Sequence, residues 1–148
     1  MRTDVKRRGW TISAEGNDLA DRFLESVFFT GNGRMGARGY PAYRPIRRPL
    51  DAGLFLAGFY DRISDSTELT DFVNLPTPIW YQIRLNGRIP AIPSHLSRAL
   101  DLRTGLLTFR YRLSIADDWV DVQEQRFFSL AKPSFLFQRL EFQGRGQV

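Results

Sequence analysis

Leu107-Thr108-Phe109-Arg110-Tyr111-Arg112-Leu113-Ser114-Ile115 alternates apolar and polar residues without a break. Successive side chains of a β-strand point to opposite faces, so Leu107, Phe109, Tyr111, Leu113 and Ile115 share one face. Thr108, Arg110, Arg112 and Ser114 take the other, which describes a half-buried strand of an antiparallel sheet. Downstream, Asp117-Asp118 reads as a turn, and Val120 and Val122 open a return strand towards Phe127 and Phe128. After Lys132-Pro133-Ser134 a further strand, 135–142, begins as a fully buried run and ends alternating, with Gly144 and Gly146 closing it.

Upstream, Tyr81, Ile83 and Leu85 alternate with Gln82 and Arg84 and run into Asn86-Gly87, a strong hairpin signal. Pro90 and Pro93 mark the return as an edge or a loop. Helical spacing is confined to Asp18 to Glu25, where Leu19, Phe23 and Leu24 would pack on a sheet. Short strands separated by regular turn signals predict an all-β, antiparallel sandwich or barrel with at most short helices. Gly31 to Ala57, rich in Gly, Pro and Arg, reads as a long irregular loop and the first place to look for function.

The 148 residues, 43% apolar and 14% aromatic, suit one domain with a real core. No apolar run is long enough to span a bilayer, and residues 1–8 lack the apolar region of a signal peptide, so no membrane partner is expected. Cysteine is absent and His95 is the single histidine, which argues against disulfides, thiolate chemistry and a zinc site. No metal or cofactor is expected, and a reducing cytoplasm is the expected location. The formal charge of +5 raises the question of a polyanionic partner. Residues 1–48 hold ten Lys/Arg against five Asp/Glu, whereas the remainder balances eleven against eleven. Arg outnumbers Lys nineteen to two, a skew that gene composition alone can produce. A nucleic-acid-binding sheet would interleave aromatics with cations, and Arg110 and Arg112 share their face with Thr108 and Ser114 instead.

Several constellations fail on context. Gly31-Asn32-Gly33-Arg34-Met35-Gly36 matches the dinucleotide fingerprint, but Gly39 and Pro41 follow where a crossover helix would have to run. These glycines read better as tight-turn or close-packing positions, with Asn32, Arg34 and Arg38 projecting towards a polar ligand or an adjoining domain. Asp117, Asp118, Asp121 and Glu124 contain the carboxylates of a conceivable glycosidase pair, yet two form a turn and alternation sends at least one of the others to solvent. His95 has no nucleophile motif beside it. Trp10, Trp80 and Trp119 could make a sugar-stacking platform, although each also fits the rim of a core.

Taken in order, five segments resemble family 65 of the glycoside hydrolases, which holds maltose, trehalose and kojibiose phosphorylases and acid trehalases. The most specific runs from Glu25 through Phe28, Gly31-Asn32-Gly33 and Gly36 to Arg38-Gly39, similar to the family's E-S-x-F-x-x-G-N-G-x-x-G-x-R-G. Leu56-Ala57-Gly58-Phe59-Tyr60-Asp61, Val73-Asn74-Leu75-Pro76, Leu100-Asp101-Leu102-Arg103-Thr104-Gly105 and Arg126-Phe127-Phe128-Ser129 resemble the others. The resemblance implies a mutarotase-like supersandwich over residues 1–148, packed in the complete enzyme against a catalytic (α/α)6 barrel that is absent here. Complete members cleave α-linked glucose disaccharides with inversion, using water or inorganic phosphate as co-substrate. No catalytic motif of the family has a matching position. The implied role is a non-catalytic accessory domain that shapes the catalytic pocket or a homodimer, with Asn32, Arg34, Arg38, Tyr60 and Asn74 as loop residues near substrate or interface. An autonomous carbohydrate-binding module is the alternative, and a basic nucleic-acid-binding domain ranks last. Relatives often carry an acid shortly after the Arg-Gly pair, whereas Tyr40-Pro41-Ala42-Tyr43-Arg44 has none.

Overall fold

The computed structural model describes residues 4–16, 22–43, 53–62, 70–91, 93 and 95–145. Its backbone is a six-stranded antiparallel sheet in the order β1-β2-β8-β9-β10-β11. The strands are β1 (Val5–Arg8), β2 (Thr11–Gly16), β8 (Leu96–Asp101), β9 (Leu106–Ile115), β10 (Asp118–Phe128) and β11 (Leu136–Arg145). Between β2 and β8 the chain leaves this sheet and builds the layer that covers one face. That layer holds helix α1 (Arg22–Val27), a three-stranded sheet of β3 (Thr30–Gly31), β4 (Met35–Ala37) and β5 (Leu54–Leu56), and the pair β6 (Tyr60–Arg62) and β7 (Thr70–Phe72). The result is an all-β, two-layered antiparallel sandwich with one short helix among the described residues.

Strand β9 forms over the stretch whose alternation is cleanest. Leu107, Phe109, Tyr111 and Leu113 are buried, and Arg110, Arg112 and Ser114 are exposed. Register carries the inward face across the sheet: Val120 lies opposite Leu113, Val122 opposite Tyr111, and Leu100 opposite Leu107. Leu24, Phe28, Tyr43 and Ile83 close over these side chains from the other layer. A second cluster of Ala37, Tyr40, Ala42, Leu54, Ile79 and Phe128 lies under the small sheet.

The turn after β9 is Ala116-Asp117, with φ +51° at Ala116, and Asp118 already pairs with Ile115. The expected turn is thus displaced by one residue. Asn86 and Gly87 both take positive φ, at +49° and +74°, as the hairpin signal requires. The expected strands beside them shrink to single bridges, Tyr43 to Tyr81 and Leu85 to Arg88, because Pro90 and Pro93 supply no N–H to a ladder. Helix α1 starts at Arg22; Leu24 is buried but Phe23 is exposed, and Leu19 lies outside the described residues. Gly31 to Ala57 is not one irregular loop. Its described parts form β3, β4 and β5, which at two or three residues each are too short for a readable period, and residues 44–52 lie outside the described set. Segment 135–142 contradicts its expected burial, since Phe135, Phe137 and Phe142 are 53%, 44% and 45% exposed on an edge strand.

Candidate functional site

The hairpin β3–β4 is held by one side chain. Asn32 Oδ1 accepts the N–H groups of Arg34 and Met35, each at 3.0 Å, which closes the turn around Gly33. Its Nδ2 donates to the carbonyls of Ser129 at 2.8 Å and Pro133 at 3.0 Å, pinning the hairpin to the β10–β11 connection. All the bonding capacity of that amide is consumed within the protein. Asn32 is therefore a fastener of the site rather than a ligand donor.

Arg38 and Asn74 meet at Gly53. Arg38 N–H donates to the Gly53 carbonyl at 2.9 Å, and Asn74 Oδ1 accepts the Gly53 N–H at 2.7 Å. The aliphatic stem of Arg38 packs so closely on Gly53, whose φ is +59°, that a Cβ there would lie 2.7 Å from Arg38 Cδ. Gly39 is equally tight: its N–H donates to Glu25 O at 2.7 Å, and a Cβ would fall 2.5 Å from Phe28 O.

Arg34 and Tyr60 belong to a second group. Phe29, Phe55, Phe72 and Tyr60 form a continuous chain of rings, with centroids 6.4, 6.0 and 5.0 Å apart in that order. Phe29 is 44% exposed, and Tyr60 and Phe72 are each 54% exposed. With Arg34, Met35 and Leu56, three of these rings, those of Phe29, Phe55 and Phe72, border a shallow groove of about 400 Å³. The five expected site residues thus separate into a fastener (Asn32), a knot (Arg38 and Asn74) and an aromatic rim with one guanidinium (Arg34 and Tyr60).

Beneath the knot lies an ion pair that alternation alone would have revealed. Val120, Val122, Glu124, Arg126 and Phe128 share the inward face of β10, and Glu124 and Arg126 are completely buried. Arg126 Nη2 donates to the carbonyls of Arg38 at 3.0 Å and Tyr40 at 2.5 Å, while its Nη1 lies 3.5 Å from Glu124 Oε1. Glu124 Oε2 accepts the Ala42 N–H at 2.9 Å and faces Tyr81 OH at 3.5 Å, and Oε1 accepts from Gln138 at 3.4 Å. Burial raises the Glu124 pKa, with Arg126 opposing the shift, and burial lowers that of Arg126. The pair stitches residues 38–42 to β10. Enclosed and paired in this way, Glu124 has no access to a substrate, and Asp121 turns to the other face, bound by Arg112 at 2.6 Å.

The exposed face of the large sheet carries a groove of about 560 Å³ whose lining mixes polar residues, among them His95, Arg110, Asp121 and Gln123, with Val122 and Phe142. Arg110 Nε donates to Gln123 at 2.7 Å, and Gln123 donates to Glu141 at 2.9 Å. The three tryptophans sit apart: Trp10 on the β1–β2 turn, Trp80 edge-on to Tyr40 in the second cluster, and Trp119 beneath the Arg112 guanidinium at 4.2 Å.

The model of the glycosyl hydrolase family 65 N-terminal domain matches residues 14–147, a span that contains the hairpin, the knot and the ion pair. The chain belongs to this family. The family 65 domain is 26% identical over 123 residues to trehalose 6-phosphate phosphorylase of Lactococcus lactis subsp. lactis (strain IL1403), covering 76% of this chain and 16% of that protein. A solved structure assigned as a kojibiose phosphorylase from the human microbiome superposes with a TM-score of 0.78 at 17% identity, over 95% of this chain and 20% of that one. This family 65 chain therefore spans between about a sixth and a fifth of the length of these relatives. Among the described residues, no helix is long and apolar enough to cross a membrane, and no cluster of metal-ligating side chains is present.

Proposed function

We propose that residues 1–148 act as one non-catalytic N-terminal unit of an inverting α-glucoside phosphorylase or hydrolase. The parent enzyme cleaves a glucose disaccharide, with inorganic phosphate as co-substrate if it is a phosphorylase. The observation that carries this reading is the chain of rings Phe29, Phe55, Phe72 and Tyr60, of which Phe29, Tyr60 and Phe72 are exposed, beside the hairpin that Asn32 fastens. A contiguous exposed apolar patch with one arginine is the composition of an interface core, and here the partner is the catalytic (α/α)6 barrel. Arg34 borders it as the cation available to that barrel or its substrate pocket. The lack of cysteine suits a cytoplasmic enzyme.

In the full-length enzyme, Phe72→Ser with Arg34→Ala should weaken docking, because one desolvated aromatic contributes about 1.5–3 kcal/mol. Limited proteolysis should then release the domain at lower denaturant, whereas the isolated domain should unfold as the parent sequence does. Unchanged proteolysis of the enzyme would refute docking through this rim. The isolated chain should release neither glucose nor glucose phosphate from maltose, trehalose or kojibiose, with or without phosphate, and turnover would refute the accessory role.

A further inference from the structure

One face of the six-stranded sheet is closed by the covering layer, and the groove of about 560 Å³ lies on the other. Register lays two polar rows across the strands there. One runs Ser97, Arg110, Gln123, Glu141. The next, two residues along each strand, holds Arg112, Asp121 and Gln143, with His95 at its end. Four strands spaced about 4.8 Å apart make the first row about 14 Å wide. The groove's volume falls in the range of small-molecule sites, about 300–1,000 Å³.

The first row is ordered by its own hydrogen bonds. Arg110 Nε donates to Gln123 Oε1 at 2.7 Å, and Gln123 Nε2 donates to Glu141 Oε2 at 2.9 Å, so each side chain orients the next. Arg110 uses only Nε in this, and among the described residues its Nη1 and Nη2 have no partner. The side chains of His95, Ser97 and Gln143 are likewise unbonded among the described residues. Arg112 is already engaged: Nε and Nη2 hold Asp121 at 2.6 Å each, and the guanidinium lies 4.2 Å from the Trp119 ring centroid. The two arginines of the lining, Arg110 and Arg112, face two carboxylates, Asp121 and Glu141, and these formal charges cancel. A polyanion needs uncompensated cations, and an apolar peptide would strip water from charges it cannot pair, so the lining suits neither. It suits a neutral ligand rich in hydroxyls, each of which both donates and accepts. The guanidinium fork supplies donors, the carboxylates supply acceptors, and the C–H faces of a pyranose ring can cover Val122 and Phe142.

We propose that this groove is a non-catalytic binding site for a neutral oligosaccharide of two or more pyranose rings. Arg110 donates to the sugar hydroxyls, Gln123 positions Arg110, and Asp121 and Glu141 accept from the hydroxyls. The groove lies on the opposite face of the large sheet from the layer that carries Phe29, Tyr60 and Phe72, so docking through those rings and sugar binding use separate surfaces. An oligosaccharide held there is kept at a raised local concentration beside the parent enzyme. That its sugar is glucose rests on the reading of this chain as part of an enzyme for glucose disaccharides.

The test is an NMR titration of the isotope-labelled 148-residue chain with maltotetraose, followed at Arg110 Nε–H and at the Gln123 side-chain amide. Both resonances should shift and saturate, with a midpoint on the order of 1 mM. Arg110→Met, at an exposed position, should weaken binding by about tenfold, the worth of hydrogen bonds from a charged donor. Arg103→Ala removes the same charge from the β8–β9 turn and should leave the midpoint unchanged. Glucose phosphate at the same concentrations should move neither resonance. Absence of a shift at about ten times the expected midpoint overturns the proposal. So do shifts confined to Arg34 and Tyr60, an equal response to glucose phosphate, or equal weakening by the two variants. Each of these failures leaves the accessory reading standing, because turnover by the chain and proteolysis of the full-length enzyme decide that reading and neither probes this face.

Discussion

Replacing Arg126 by methionine keeps most of the side-chain volume but removes the cation that faces Glu124 in a fully buried site. Two carbonyls, Arg38 O and Tyr40 O, lose their donor at the same time. Breaking a buried pair by deleting one partner costs about 3–5 kcal/mol, a large share of the roughly 5–15 kcal/mol that stabilises a domain. At an m-value of about 2 kcal/mol/M, the urea midpoint should fall by about 2 M. The loss has a pH signature. Burial already holds the Glu124 pKa above its ordinary 4.5, and without Arg126 it rises further. A raised folded-state pKa gives stability that is complete below the unfolded value and lost as pH rises through the folded one. The deficit of Arg126→Met relative to the parent should therefore shrink between pH 7.5 and pH 5, and adding Glu124→Gln should recover part of it at pH 7.5. Urea unfolding followed by tryptophan fluorescence reads all three proteins. A cost under about 1 kcal/mol at pH 7.5, or one equal at both pH values, would refute the assignment of a desolvated ion pair.

Gly39→Ala drives a methyl group against the Phe28 backbone and should cost about 1–3 kcal/mol in the same unfolding assay; a neutral result would mean that the chain there shifts freely. Asn32→Ala leaves the Arg34 and Met35 N–H groups and two carbonyls without their partner, for a loss of about 1–3 kcal/mol. Asn32→Asp retains the acceptor but not the donors, so it should fail to restore the Ala variant; full recovery would show that the bonds to Ser129 and Pro133 carry nothing. Arg112 hydrogen-bonds Asp121 and holds its pKa below the usual carboxylate value. In Arg112→Gln, a carboxyl NMR titration should show the Asp121 midpoint moving up, and an unmoved midpoint would deny the contact.

What the amino-acid order determined by itself is half of the large sheet, strands β9 to β11, because period-two alternation is local; β1, β2 and β8 were not read from it. Leu107 to Ile115 could only bury one face as a strand, and Asn86-Gly87 could only turn. The family motifs were equally legible, and Gly39 within them now has a steric reason. The short strands β3, β4 and β5 were not legible, since two or three residues cannot show a period and take their conformation from the sheet they join. Burial of Glu124 and Arg126 was written in the alternation of β10, but only packing of residues 38–42 over them supplied the carbonyls and the N–H that make it tolerable. Likewise, Asn32 looked like a ligand donor until the β10–β11 connection, 97 residues away, used up its amide. Segment 135–142 shows the same division from the other side. The start of the segment called for burial on both faces and its end for alternation, and the tertiary structure placed it at an edge, because burial depends on what lies beside a strand as well as on what the strand contains.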